Sequence, residues 1–320
     1  MPEPKVTYTH ALTLEQAAKF RGILETGGFD FESKPYTLYA ASKKAAKVNI
    51  AVYEKGPKVV IQGKGTEDFV KFVLEPEVLG AAELGYEEIH QPDHYLPHMG
   101  VDESGKGDFF GPLVVAGVYV DREIVHRFNE IGVTDSKRIS SDARISEIAE
   151  QIKLVPGVIW DVLLIKPERY NQLYANFRNL NRFLAWGHAR VIENILIKRS
   201  DCPFALSDQF ANPKLLQSAL LEYGKKIELR QRTKAESDPA VAAASILARE
   251  KFVSWLKECG KRLGMMLPKG AGSEVKKTAL EFVLTKGAEA LPKLAKMHFK
   301  TANEVLGIEK LEENSTKSEN

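Results

Sequence analysis

The chain has 320 residues, of which 44% are hydrophobic and 28% charged, with a formal net charge of +2. Such a length supports a real core and divides into roughly two domains of about 100–200 residues, while the balanced charge excludes a disordered polyelectrolyte and leaves any polyanion site to local lysine placement. Two cysteines, Cys202 and Cys259, exclude a disulfide framework or a cysteine-rich zinc site. With no apolar run near the ~18 residues of a membrane helix and no basic-then-apolar leader, a soluble cytoplasmic protein without a membrane partner is expected.

Taken in order, residues 6–10 alternate weakly, and 14–24 place Leu14, Ala17, Ala18 and Arg21 at helical spacing before the stop at Gly27-Gly28. Short strands are expected over 29–31, 37–41, 48–54 and 59–62, with a hairpin turn at Lys55-Gly56-Pro57 and a helix over 66–74. Residues 1–80 therefore read as a small α+β domain with a mainly antiparallel sheet. Within it Lys34, Lys43, Lys44, Lys47, Lys55, Lys58 and Lys64 face a single acid, Glu54, with Tyr36, Tyr39 and Tyr53 among them. Lysines beside aromatics suit a nucleic-acid backbone, but a solvated sheet whose lysines block edge pairing fits the same pattern.

Residues 75–97 carry Pro76, Pro92 and Pro97 with no sustained period, and 81–96 reads as a linker, with room for a short helix at 76–84. A second domain, 97–308, opens on GVDESGKGDFFGPLVVAGV at 100–118, a strand end, a sharp turn and a returning strand. A helix over 145–152 follows the possible caps Ser140 and Ser141. Then come a strand over 158–166, a helix over 180–198, strands over 204–207 and 227–230, an alanine-rich helix from Asp238-Pro239 toward Lys261, and helical segments over 274–284 and 291–297. The polar end, 309–320, reads as a disordered tail. This alternation describes an α/β domain in which helices flank a mixed sheet.

Four acids stand at element ends: Asp102 and Glu103 after the first strand, Asp208 after the 204–207 strand, and Asp238 at the head of the alanine-rich helix. Carboxylates sharing one cleft repel, and two divalent ions with a taste for hard oxygen ligands relieve that repulsion, which favours Mg²⁺ or Mn²⁺ and phosphodiester hydrolysis. Each acid also has a plainer reading. Asp238 before Pro239 is a good helix N-cap, and Asp208 ends a strand. Adjacent Asp102 and Glu103 point to opposite faces of a strand and share a site only if the strand ends there. Gly105-Lys106-Gly107 suits close backbone approach and phosphate contact, and equally a surface turn. His188 and His298 read as packed histidines outside any site.

Several linked motifs carry a resemblance. Asp102-Glu103-Ser104-Gly105-Lys106-Gly107 with Gly111-Pro112, Thr134-Asp135-Ser136-Lys137, Ser207-Asp208-Gln209-Phe210, Ser237-Asp238-Pro239 leading to Ala242–Ala248, Asn179-Leu180-Asn181 and Leu267–Gly272 resemble, in order and spacing, the type 2 ribonucleases H, and most closely the bacterial HIII branch. The lysine between Gly105 and Gly107 stands where the HII branch usually has arginine.

The resemblance implies a ribonuclease H-like mixed sheet with flanking helices, preceded by a small domain resembling the TATA-binding protein fold. It further implies endonucleolytic cleavage of the RNA strand of an RNA/DNA hybrid, leaving 5′-phosphate and 3′-hydroxyl ends. Asp102, Glu103, Asp208 and Asp238 would be the catalytic carboxylates holding two Mg²⁺ or Mn²⁺ ions. Ser104, Gly105, Lys106 and Gly107 would read ribose 2′-hydroxyls, and Ser136 and Lys137 would hold a neighbouring phosphate, with Arg230 and Arg232 as further cationic contacts. In the first domain Tyr36, Lys43, Lys44, Lys47 and Lys58 would meet the hybrid, and no obligate protein partner is expected. The rival readings are a junction resolvase-like nuclease and a non-catalytic nucleic-acid-binding protein.

Overall fold

Thr13 and Gln16 form a reciprocal capping box, each side chain bonded to the other's backbone N–H, and this starts the first helix of a computed structural model that describes residues 7–80, 91–233 and 235–307. The division between two compact units falls between Asp93 and His94. The second unit thus begins slightly before the expected residue 97, because His94 and Tyr95, in a 3₁₀ turn over Pro92–Tyr95, are buried within it. Most of the expected linker, and the tail at 309–320, lie outside the described residues.

The first unit runs β1 (Thr7–Ala11), α1 (Leu14–Thr26), β2 (Asp30–Glu32), β3 (Thr37–Lys43), β4 (Val48–Tyr53), β5 (Lys58–Gln62) and α2 (Thr66–Phe69). All pairings in its sheet, ordered β1-β5-β4-β3-β2, are antiparallel. Alternation puts Val48, Ile50, Val52, Val59 and Ile61 on the face covered by Phe20 and Leu24 of α1 and by Phe69 and Leu74. The second helix does not end near 74 with a separate helix after Pro76. It continues through Pro76 as a π-helix, Val70–Leu79. The wider winding accommodates a proline ring and a missing N–H that an α-helix interior would not.

The second unit contains β6 (His98–Ser104), β7 (Leu113–Val120), α3 (Arg122–Ile131), α4 (Asp142–Leu154), β8 (Ile159–Ile165), α5 (Pro167–Phe177), α6 (Leu180–Lys198), β9 (Phe204–Asp208), α7 (Pro213–Ala219), β10 (Glu228–Arg232), α8 (Pro239–Leu263), α9 (Ser273–Lys286) and α10 (Lys300–Leu306). The sheet order is β10-β9-β6-β7-β8, with β6, β9 and β10 parallel and β7 antiparallel to both neighbours. It is a mixed sheet of the ribonuclease H-like kind, with β6 at its centre. Long α8 lies across β6 and β7, and α6 packs on β7 and β8. Gly100 permits the first contact, since a Cβ there would stand 2.2 Å from the Val241 backbone nitrogen.

Four helices add to the expected set: α3, capped by Asp121, α5 and α7, each with proline at its first turn, and α10. The expected helix over 291–297 is a 3₁₀ turn, Ala288–Lys293, followed by a single isolated bridge of Ala295 to Phe110. Pro292 removes one donor there, and Asn171 of α5 binds the carbonyls of Pro292 and Ala295 at 3.0 and 2.9 Å. Among the described residues, no helix is long and apolar enough to cross a membrane.

Candidate active site

At the C-terminal end of β6 the strand period splits two neighbouring carboxylates. Asp102 shares a face with Gly100 and accepts a hydrogen bond from the Ser245 hydroxyl on α8. Glu103 turns to the other face, where His188 of α6 lies with Nε2 2.9 Å from its Oε2. Since β6 ends one residue later, at Ser104, both nevertheless line one cleft of about 500 Å³ together with Asp208, the last residue of β9.

The environments of the two differ in sign. Burial, and then the negative charge of Glu103, push the Asp102 carboxyl up to about 7, against the opposing Ser245 hydroxyl and Lys137 charge. Burial acts upward on Glu103 as well, but the His188 hydrogen bond and charge, together with Lys106, outweigh it and hold this carboxyl below the ordinary range. Asp208 accepts from the Ala235 N–H at 3.3 Å. Among the described residues, no three acidic, histidine or cysteine side chains already form a metal cage.

The fourth expected carboxylate is elsewhere. Asp238 is only 2% exposed and does not line the cleft. It caps α8 by accepting from the Ala240 and Val241 N–H groups, and His98 Nε2 lies 3.0 and 3.1 Å from its two oxygens. Burial would raise this carboxyl, but the His98 hydrogen bond and charge, with His94 and the Val241 N–H, hold it below its usual range. This is the N-cap reading of Asp238 made concrete, and it corrects the expected convergence of four acids. Glu236, also outside the cleft lining, sits in the 3₁₀ turn Ala235–Ser237, next to the residue that donates to Asp208, and is half-exposed.

The loop after β6 forms the rim. Gly105 has φ +88°, and a Cβ there would stand 2.2 Å from the Pro112 carbonyl oxygen, so no other residue fits. Lys106 Nζ lies 3.5 Å from Glu103 Oε1 and over the Phe210 ring at 5.6 Å. Lys106 and Gly107 line the cleft with Ser104 and Gly105.

Ser136 and Lys137 line it too, but in different ways. Ser136 is buried, with its hydroxyl 2.5 Å from Ser245 Oγ and its carbonyl bonded by Arg249, whereas the Lys137 side chain is exposed. Asp135 caps this short turn through the Lys137 N–H. Arg230 pairs with Glu228, and Arg232 reaches His94 at 3.2 Å; neither lines the cleft.

His188 does not line the cleft but is bonded to a residue that does. Its Nδ1 faces Ser207 Oγ at 3.1 Å while Nε2 faces Glu103. A fully buried imidazole in an otherwise apolar helix stripe was the available signal. Ser245 gave a similar one, a hydroxyl inside an alanine run. His98 gave none, because its partner is 140 residues away in sequence.

In the first unit the expected lysine-tyrosine surface is not one face. Lys43 follows Tyr39 and Ala41 onto the helix side and donates to the Gly27 carbonyl at 2.6 Å. Lys44 and Lys47 lie in the turn between β3 and β4, and Tyr36 precedes β3 with φ 62°. Lys58 alone stands on the uncovered face, opposite Tyr53. That face instead carries a row of uncharged hydrogen-bonding residues, Thr7, Gln62, Asn49 and Ser42, in register across four strands.

A family model described as Ribonuclease HII matches residues 99–302. Ribonuclease HIII of Protochlamydia amoebophila is 40% identical over 300 residues, covering 94% of this chain and 97% of that protein. Ribonuclease HIII of Chlamydia muridarum is 43% identical over 309 residues, covering 96% and 98%. Among solved structures, Bst-RNase HIII in complex with Mn²⁺ superposes with TM-score 0.64 at 27% identity, covering 94% of this chain and 98% of that one. Aquifex aeolicus RNase H3 does so with TM-score 0.52 at 32% identity, covering 92% and 100%. With identity of this order sustained over nearly the whole length of both partners, the chain belongs to the ribonuclease HIII family.

Proposed function

We propose that this protein cuts the RNA strand of RNA/DNA hybrids endonucleolytically, leaving 5′-phosphate and 3′-hydroxyl ends, with Asp102, Glu103 and Asp208 as its central catalytic carboxylates. The observation that carries this reading is that these three line one cleft whose rim is the Gly105–Gly107 loop. The donor chemistry fits divalent cations: all three ligands are hard oxygens, and Asp102 is raised by burial and then by the Glu103 charge beside it. Two Mg²⁺ or Mn²⁺ ions bound there would neutralise the carboxylates and supply Lewis acidity for an attacking water and a departing 3′ oxygen.

The remaining work falls to the chain itself. Ser245 and His188 aim Asp102 and Glu103 from opposite faces of the sheet. Glu236, which among the described residues makes no hydrogen bond or ion pair, is our candidate for the fourth acid, and Asp238 is the cap that fixes the start of α8. Backbone N–H groups at Gly105 and Gly107, with Ser104 and Lys106, meet the ribose 2′-hydroxyls that separate RNA from DNA. Lys137, exposed on the cleft wall, takes a neighbouring phosphate, while Ser136 braces Ser245.

The antiparallel sheet of the first unit, with both helices on one side, supports a fold resembling the TATA-binding protein and leaves a face for the hybrid. Thr7, Gln62, Asn49 and Ser42, with Lys58 and Tyr53, are the contacts we assign there, in place of Lys43. Cleavage assays on an RNA/DNA hybrid, duplex DNA and a four-way junction test the function. Cutting confined to the hybrid and dependent on a divalent cation supports it.

A further inference from the structure

Lys296 is 0% exposed, and among the described residues it has no ion pair within 4 Å, although the Asp108 charge acts on it from further away. Its Nζ donates to the carbonyls of Asp108 at 2.8 Å and Gly111 at 2.7 Å, with that of Phe110 at 3.5 Å. The rings of Tyr170 and Phe252 flank the ammonium at 5.6 and 6.0 Å. Burial pushes this lysine down to about 7. A buried cation without a close ion pair is a poor way to gain stability, and an apolar side chain of the same volume would pack there at less cost.

What the cation does is specific to one segment. Residues 108–111 lie outside the sheet ladder, so their carbonyls need partners that no strand provides. The same segment is tied by its backbone to the stretch around Lys296: Lys296 N–H to the Phe109 carbonyl at 2.9 Å, and Gly111 N–H to the Leu294 carbonyl at 3.0 Å. On its other side the Gly270 N–H donates to Asp108 Oδ1 at 2.6 Å. Phe252, beside the ammonium, is also the ring against which Gly105 packs.

We propose that Lys296 is a positioning residue for substrate recognition: by gathering the carbonyls of Asp108 and Gly111 it sets the Gly105–Gly107 loop over the carboxylates. The inference rests on the reading that this loop contacts the RNA strand. Lys296 itself touches neither substrate nor Asp102, Glu103 or Asp208.

The test uses the full chain with Lys296→Met and Lys296→Gln, and Lys106→Ala as a loop control. Steady-state cleavage of an RNA/DNA hybrid in Mg²⁺ is measured together with thermal unfolding and the amide resonances of ¹⁵N-glycine-labelled protein. Lys296→Met is expected to raise KM about tenfold with kcat within about threefold, and to shift the Gly105 and Gly107 resonances. Lys296→Gln, which restores two donors, should fall between it and the parent. A folded Lys296→Met protein with parental KM and unmoved Gly105 and Gly107 resonances would overturn the proposal, as would a loss confined to kcat that tracks a lower Tm. Should Lys296→Met not fold, Lys296→Gln is judged by the same two criteria. An unchanged KM in Lys106→Ala counts against the loop as a substrate contact, whereas the glycine resonances of the Lys296 variants report separately whether this lysine sets the loop.

Discussion

His188 Nε2 lies 2.9 Å from Glu103 Oε2, and the other ring nitrogen of the same buried imidazole faces Ser207 Oγ at 3.1 Å. An acid at the end of β6 is thus aimed by a helix on one face of the sheet, while its neighbour Asp102 is aimed by Ser245 from the other. Replacing His188 with Ala leaves a buried carboxylate without its main donor, which costs about 1–3 kcal/mol of stability or neutralises the carboxylate. We expect His188→Ala to lower kcat at least about tenfold and to raise the Mg²⁺ concentration needed for half-maximal rate. A Mg²⁺ titration of cleavage by the folded variant checks this, and an unchanged midpoint and rate would count against His188 as an aiming group.

The two acids at the head of α8 should separate cleanly. Asp238→Ala strands His98 and two backbone donors, so we expect it to lose about 3–5 kcal/mol in urea unfolding. Glu236→Gln should unfold within about 0.5 kcal/mol of the parent yet cleave hybrid far more slowly. If Glu236→Gln cleaves at the parental rate, the fourth carboxylate has been misassigned.

The raised Asp102 carboxyl fixes the sign of one pH dependence. In the unfolded chain an aspartate ionises near pH 4, and in the folded protein Asp102 does so only near 7. Between these values the folded state holds the extra proton, so its contribution is fully present below about pH 4 and is lost as pH rises through about 7. Lowered Glu103 and Asp238 act the opposite way, with their contribution lost only as pH falls below the ordinary carboxylate range. Metal-free protein should therefore lose stability between about pH 5 and 7, Asp102→Asn should flatten that fall, and Mg²⁺ should raise Tm more at about pH 8 than at 6. Scanning calorimetry across this range, with and without Mg²⁺, measures all three.

For the first unit, the uncovered sheet face makes a distinction between lysines. Lys58→Ala in the full chain should weaken hybrid binding and reduce the salt slope of log K by about 1, as expected for one phosphate contact. Lys43→Ala should change neither, since its ammonium is held by the Gly27 carbonyl on the helix side. Gln62→Ala and Asn49→Ala should weaken binding with the slope preserved. Fluorescence anisotropy at several salt concentrations decides among these outcomes.

Much of this was legible from residues close together in the chain. The turn at Gly105 was readable because only glycine supports its φ, and the alanine-rich helix because nothing in it opposes helix formation. Helices α5 and α7, absent from the expected set, are short and each start on a proline at the first turn, where proline is well tolerated. What stayed hidden depended on distant pairing. Asp238 read as a cap on its local pattern and as a ligand only through the resemblance, and its partner His98 is brought beside it only when β6 meets α8. The lysine count over 34–64 suggested one basic face, and strand alternation sent Lys43 to the other side.

The account's central claim is tested most directly by cleavage of matched RNA/DNA hybrid and duplex DNA by the parent protein and Asp102→Asn, with Mg²⁺, with Mn²⁺ and with chelator. We expect the parent to cut only the RNA strand of the hybrid, and only with a divalent cation. Asp102→Asn should lose at least about 10³-fold in rate while unfolding at a temperature no lower than the parent, because a raised buried carboxylate has been replaced by a neutral amide. Cleavage that survives chelation, or an Asp102→Asn protein that cuts hybrid at the parental rate in ordinary Mg²⁺, would contradict it.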